Sequence, residues 1–173
     1  QQLGRVDNGD AFLDPDDLEK QRGITIFSHQ ASFKTPTLAM TLLDTPGHVD
    51  FASQTEQVLS VLDYAILVVS ATDGIQGYTR TLWRLLARYH VPVFIFVNKM
   101  DIAGTATEQV LAQLQTSLSD QCVVFDAGDL SAETYEAMAL QDDDLLDDFL
   151  TNGKLADTTV QRLIQQRAVF PCY

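Results

Sequence analysis

Two uninterrupted apolar runs limit what this chain can fold into more than any other feature. They are Tyr64-Ala65-Ile66-Leu67-Val68-Val69 and Val91-Pro92-Val93-Phe94-Ile95-Phe96-Val97. A strand with one wet face alternates apolar and polar residues. A strand that is apolar on both faces is what the middle of a parallel sheet needs, because helices cover both sides of it. Neither run approaches the roughly 20 apolar residues that cross a bilayer as a helix. Between the runs, Tyr78, Leu82, Leu85, Leu86 and Tyr89 recur at helical spacing. The spacing predicts a further helix over 105–118 and a short strand over 122–125. Strand, helix, strand, helix, strand in that order is the pattern of an α/β, doubly wound, mostly parallel sheet.

The flanks add detail. Residues 1–24 carry Gly4, Asn8-Gly9-Asp10 and Asp14-Pro15-Asp16-Asp17 with little apolar periodicity. They read as a long loop with one helical turn starting at Asp14, and long irregular segments in compact domains are functional or disordered. Strand-like runs over 24–33 and 37–43, joined by Lys34-Thr35-Pro36, predict one antiparallel pair. Residues 52–62 predict a helix. Helices over 131–140, 142–151 and 157–168 follow Asp126, and 168–173 reads as a closing strand. This gives a core over 1–126, an acidic helical segment over 127–168 and the start of a last strand over 169–173.

Charge is needed to judge partners. The chain of 173 residues has a net charge of −13, and residues 120–160 hold 11 acids against the single base Lys154. Such a surface repels phosphate backbones, which argues against broad direct nucleic-acid binding by this domain alone. The N-terminus has no basic-then-apolar signal pattern and no initiator Met. That points to a cytoplasmic protein, with no membrane span, and to a chain that does not start where its gene starts. Cys122 and Cys172 lie in apolar surroundings without metal-type spacing and read as buried strand thiols. Arg80, Arg84 and Arg88 form a stripe that reads as a solvated helix face, and His29 and His90 read as structural or surface residues.

Three short motifs carry chemistry. Asp44-Thr45-Pro46-Gly47-His48 follows a strand, where ligands of open α/β sheets bind. Asp44 there can hold Mg²⁺ through water, Gly47 lets its backbone N–H approach a terminal phosphate, and His48 can orient an attacking water. In isolation the same residues also make a good turn. Asn98-Lys99-Met100-Asp101 follows the second apolar run, 54 residues after Asp44. A carboxylate at Asp101 can accept from both the N1–H and the 2-amino group of guanine, a donor pair that adenine lacks. The Lys99 stem can lie along the base, and Asn98 can tie neighbouring loops together. The pattern has a chance rate of roughly 1 in 10⁴ per position, and its place at a strand end raises its weight. Thr25, in Arg22-Gly23-Ile24-Thr25-Ile26, can contact Mg²⁺ and a γ-phosphate together, which would order the loop before it. A strand-starting Thr is the plain alternative.

With these motifs in this order, the chain resembles the translational GTPases of the elongation factor G type. Residues 19–26 resemble their first switch, residues 44–51 their second switch, and residues 98–101 their guanine-specificity motif. The likeness covers about residues 1–126 and resumes over 142–173. Within that family, Val68-Val69-Ser70-Ala71-Thr72-Asp73-Gly74-Ile75-Gln76-Gly77-Tyr78-Thr79-Arg80 and the short stretch between Asp126 and Asp142 are most similar to the ribosomal protection proteins that confer tetracycline resistance.

The resemblance implies a P-loop NTPase-like sheet and a GTP-binding, GTP-hydrolysing domain that uses Mg²⁺ and acts on the ribosome. His48 would be its catalytic residue. Thr25, Asp44, Gly47, Asn98, Lys99 and Asp101 would bind nucleotide, with Thr25 and Asp44 at the metal. Two family features do not occur in these residues: the Gly-rich loop ending Gly-Lys-Thr, and the late Ser-Ala motif. The expectation is therefore a domain truncated at both ends, weak in GTP binding and negligible in hydrolysis alone, with exposed strand edges that favour a strand-swapped oligomer. The alternatives are an elongation factor G paralogue acting in translocation, or a catalytically dead ribosome-docking module. A kinase or ATPase of the same sheet class is disfavoured by Asp101.

Overall fold

A computed structural model describes Thr25 and residues 28–102, 104–125, 128 and 130–173. The chain divides into two compact units, residues 1–61 and residues 62–173.

In the first unit, β1 (His29–Lys34) and β2 (Ala39–Asp44) form an antiparallel pair in which His29 faces Asp44 and Lys34 faces Ala39. The turn between them is closed by Thr35, whose N–H donates to the Leu38 carbonyl (2.8 Å) and whose hydroxyl accepts from the Leu38 N–H (3.0 Å). A single 3₁₀ turn at Val49–Phe51 runs into α1 (Ala52–Leu59). The antiparallel pair matches the sequence expectation, with both strands starting later than expected. The expected start of the first strand, at residues 24, 26 and 27, lies outside the described residues.

The second unit is a four-stranded parallel sheet. Its strands are β3 (Ala65–Ser70), β4 (Val93–Asn98), β5 (Cys122–Val124) and β6 (Phe170–Cys172), in the spatial order β3-β4-β6-β5. Its helices are α2 (Gly77–Arg88), α3 (Thr107–Ser117), α4 (Ala132–Ala139), α5 (Asp143–Asn152) and α6 (Asp157–Gln165). All five stand within a few residues of where the sequence reading expected helices. In β3 and β4, Leu67, Val69, Val93 and Ile95 are buried on one face.

The other face departs from expectation. Ile66 pairs with Phe94 and Val68 with Phe96, so these four share one side of the sheet. Ile66 is 63% and Val68 59% exposed, and Phe96 is exposed beside them. The run is apolar on both faces as a central strand requires, yet among the described residues β3 is an edge of its sheet and its Ile66–Val68 face is exposed.

The acidic helices are not merely a solvated coat. Their inner faces pack Met138, Ala139, Leu145, Val160, Leu163 and Ile164, with Leu155 from the connection between α5 and α6, against Val123, Phe125 and Val169 of the sheet layer. Their acids sit where helix starts need them. Asp142 caps α5, with Oδ1 accepting from the N–H groups of Asp144 (2.9 Å) and Leu145 (3.4 Å). Asp143 and Asp144 occupy the first turn, where the helix dipole favours negative charge. Gly153 ends α5 with φ 70°, the left-handed conformation that costs glycine least.

Two other helices end the same way without glycine. After α2, His90 has φ 55°, its N–H donates to Ala87 (3.1 Å), and the Val91 N–H donates to Leu86 (3.0 Å). After α6, Arg167 has φ 59°, with matching bonds to Ile164 (3.0 Å) and from Ala168 to Leu163 (2.9 Å). Both are Schellman closures that turn the chain toward the next strand. Arg167 does more. Its guanidinium lies over the rings of Trp83 (5.3 Å) and Phe170 (5.1 Å) and donates to the Val91 carbonyl, fastening both helix ends together. Burial pulls its guanidinium below the ordinary arginine value.

Candidate functional site

The first unit holds the phosphate-side candidates. Asp44 is the last residue of β2, half-buried, and opposite His29. The loop after it is anchored from inside and presents its tip outward. The Pro46 ring is fully buried, and its carbonyl accepts from the hydroxyl of buried Thr55 in α1 (3.0 Å). Gly47 and His48 then emerge exposed. Among the described residues, a Cβ added at Gly47 would meet no atom within 4 Å, and its φ is not in the left-handed region. Among the described residues neither packing nor backbone strain demands glycine there, and the space beside it is open.

His48 caps the 3₁₀ turn, its Nδ1 accepting from the Asp50 N–H at 3.3 Å. Asp50 Oδ2 lies 3.5 Å from the same nitrogen. These two contacts need opposite protonation of Nδ1. In the neutral ring the N–H contact holds, and it places the ring proton on Nε2. Of the segment resembling a first switch, residues 19–24 and 26 lie outside the described residues, and Thr25 is half-buried.

The second unit holds the base-side candidates. Asn98 ends β4 and Lys99 takes φ 64°, a left-handed turn outside glycine. The Asn98 Oδ1 accepts from the Lys99 N–H (2.9 Å), which supports that turn locally. The Asn98 carbonyl accepts from the Ala71 N–H (2.9 Å), so the backbone at Asn98 makes the link to the neighbouring strand end. Asp101 is exposed on the loop that follows. That loop is braced by Thr105, whose hydroxyl contacts the carbonyls of Met100 (2.9 Å) and Ile102 (2.8 Å).

Three contributors escaped the sequence reading: Thr55, Thr105 and Asp73. In the sequence Asp73 stood only within the stretch similar to the ribosomal protection proteins. In the structure its Oδ2 lies 3.2 Å from the Lys99 ammonium. Hydrogen bonds from Ser70 first, and then Lys99, hold its carboxyl below the usual carboxylate range. The clue in the sequence was Ser70-Ala71-Thr72-Asp73 at the carboxyl end of one apolar run, with Asn98-Lys99 at the end of the next.

Comparison with known proteins decides the family. The model of the elongation factor Tu GTP-binding domain matches residues 1–168. The chain belongs to that family. Among this domain's relatives, the oxytetracycline resistance protein of Streptomyces rimosus is 43% identical over 143 residues, which is 82% of this chain and 22% of that protein. The tetracycline resistance protein TetW of Butyrivibrio fibrisolvens is 34% identical over 184 residues, covering 98% of this chain and 29% of that protein. This GTP-binding domain thus spans less than a third of each of these relatives. A crystal structure from Thermus thermophilus superposes with a TM-score of 0.80 at 20% identity, over 98% of this chain and 32% of that one, and so shares the fold. Among the described residues no helix is long and apolar enough to cross a membrane.

Proposed function

We propose that this chain is the GTP-binding and GTP-hydrolysing domain of a ribosome-associated translational GTPase of the ribosomal-protection type, working in the cytoplasm. The observation that carries the reading is the left-handed turn at Lys99, supported by the Asn98 side chain at the end of β4, with Asp101 exposed just beyond it. It belongs to a chain whose family is a GTP-binding domain and whose relatives bear tetracycline-resistance names. On this reading, the Asp101 carboxylate accepts from the N1–H and 2-amino groups of guanine, and the Lys99 stem underlies the base.

On the phosphate side, the Gly47 N–H meets the γ-phosphate. His48, donating from Nε2, holds the attacking water by its lone pair. Asp44 and Thr25 are hard oxygen donors of the kind Mg²⁺ takes. Among the described residues no cluster of three or more His, Cys, Asp or Glu forms, and this suits an ion that keeps its waters and leans on nucleotide phosphates. Bound there, Mg²⁺ would neutralise phosphate charge. The ribosome would complete the site by fixing His48.

The deciding experiment is Asp101→Asn in the full-length protein. Xanthine carries a carbonyl where guanine has its 2-amino group, so an amide at this position should favour it. GTP affinity should fall about 100-fold, as the loss of charge-assisted hydrogen bonds implies, and xanthosine triphosphate affinity should rise. Unchanged preference for GTP would reject the base-reading role.

A further inference from the structure

The loop 70–74, at the end of β3, has no part in the reading above, yet it reaches the base-side candidates. We infer that Asp73 is a positioning residue for the nucleotide base: it holds the Lys99 side chain stretched between two fixed points, so that its methylene stem forms a preset platform on which the base lies. This rests on the guanine-nucleotide reading of residues 98–101.

Both ends of the lysine are fixed. At its root, the left-handed turn at φ 64° and the Asn98 Oδ1 bond to its N–H set where the side chain starts. At its tip, Asp73 Oδ2 takes the ammonium at 3.2 Å. A free lysine spreads over many rotamers and loses that freedom when it packs on a ligand. A lysine already held by a carboxylate has lost part of it beforehand, and binding to a prearranged group costs less.

Asp73 is itself fixed. Its N–H donates to Ser70 Oγ (3.3 Å), and Ser70 Oγ lies 3.0 Å from Thr72 Oγ1. Gly74 closes the turn, its N–H donating to the Ser70 carbonyl (2.9 Å) with φ 67°. A Cβ at Gly74 would stand 2.6 Å from the Gln113 amide nitrogen, the movable end of a flexible side chain, so it is the left-handed backbone that disfavours a side chain there. Ser70 and Asn98 are register partners in the β3–β4 ladder, and the Ala71 N–H donates to the Asn98 carbonyl. The tether thus joins two strand ends that the sheet already holds side by side. The pair is half-exposed, so it adds little to fold stability. Its effect should appear in nucleotide binding.

The test is a double-mutant cycle on GDP affinity and dissociation rate in the full-length protein, using Asp73→Ala, Asp73→Glu, Lys99→Met and the pair, with thermal melts as the control for folding. Asp73→Ala should weaken GDP binding about 5- to 20-fold at an unchanged melting temperature, the coupling expected of a preorganising contact, and Asp73→Glu should recover most of the loss. In the Lys99→Met background, Asp73→Ala should change affinity less than about twofold. An equal loss in both backgrounds would overturn the inference, since Asp73 would then act other than through Lys99. An Asp73→Ala protein that binds GDP normally, while Lys99→Met and Asp101→Asn bind poorly, would overturn it too and leave the nucleotide reading standing. Normal GDP binding by Lys99→Met and Asp101→Asn would overturn both.

Discussion

The Lys99 ammonium and the Asp73 carboxylate meet at 3.2 Å across the ends of two adjacent parallel strands. The residues come from the ends of separate apolar runs, 26 positions apart in sequence. The contact has a testable electrostatic signature. Asp73 titrates below the ordinary carboxylate value of about 3.9, with the Ser70 hydrogen bond the largest single cause, followed by the hydrogen bond and the charge of Lys99. Because the folded value is depressed, the stabilisation is complete above the ordinary value and is lost as pH falls through the lowered one. Carboxyl carbon NMR should show Ser70→Ala and Lys99→Met each raising the titration midpoint. A midpoint unmoved by either change would refute the network.

His48 should matter for turnover and not for affinity. Its ring is exposed and caps only a single 3₁₀ turn, so Ala in its place leaves the buried Pro46–Thr55 anchor intact. In the full-length protein, His48→Ala should lower ribosome-stimulated GTP hydrolysis about 100-fold, the scale on which misplacing a reacting group slows a reaction. Nucleotide affinity should stay within a few-fold. Single-turnover hydrolysis with ribosomes checks the first point and equilibrium titration the second.

Thr55→Val should loosen the loop from behind. The substitution keeps the shape and leaves the Pro46 carbonyl without its hydroxyl partner. Removing one partner of a buried hydrogen bond costs about 1–3 kcal/mol. Urea unfolding should show that loss, whereas Thr55→Ser, which keeps the hydroxyl, should lose less.

His90 and Arg167 should respond in opposite directions to glycine. Both sit in the left-handed conformation, which costs a residue with a Cβ about 1–2 kcal/mol. His90→Gly should therefore stabilise the domain by about 0.5–1 kcal/mol, once the extra freedom of glycine in the unfolded chain is counted. Arg167→Gly gains the same relief but loses the stacking on Trp83 and Phe170 and the bond to Val91. It should be destabilised by about 1–2 kcal/mol. Trp83 is the chain's one tryptophan, so its fluorescence reports both unfolding curves.

Much of this was legible beforehand, for physical reasons. The βαβ order followed from two runs that are apolar at every position, and the helix between them from helical spacing of apolar residues. The motif residues stood out because glycine, proline and acids right after a strand serve either a turn or a ligand. The spatial order of the strands was not legible, because nothing in Phe170-Pro171-Cys172 says which neighbours it will take. Nor was the pairing of Asp73 with Lys99, which depends on the in-register meeting of Ser70 with Asn98. The acids of 142–144 looked like surface charge, yet one of them caps a helix. Trp83 stands outside the apolar positions that mark its helix. It lies instead edge-on to Phe170 at 4.6 Å.

The order β3-β4-β6-β5 also has a consequence in time. The strand lying between β4 and β5 is the last of the six to be made. As the chain emerges from the ribosome, β4 and β5 exist with no partner between them while everything from Phe125 to Val169 is still being added. At ordinary elongation rates of about 5–20 residues per second this is a wait of several seconds. Only with Phe170–Cys172 does the Tyr173 N–H reach Ile95 and the Phe125 N–H reach Cys172. Losing Phe170–Cys172 alone would remove the middle of this sheet rather than trim its border.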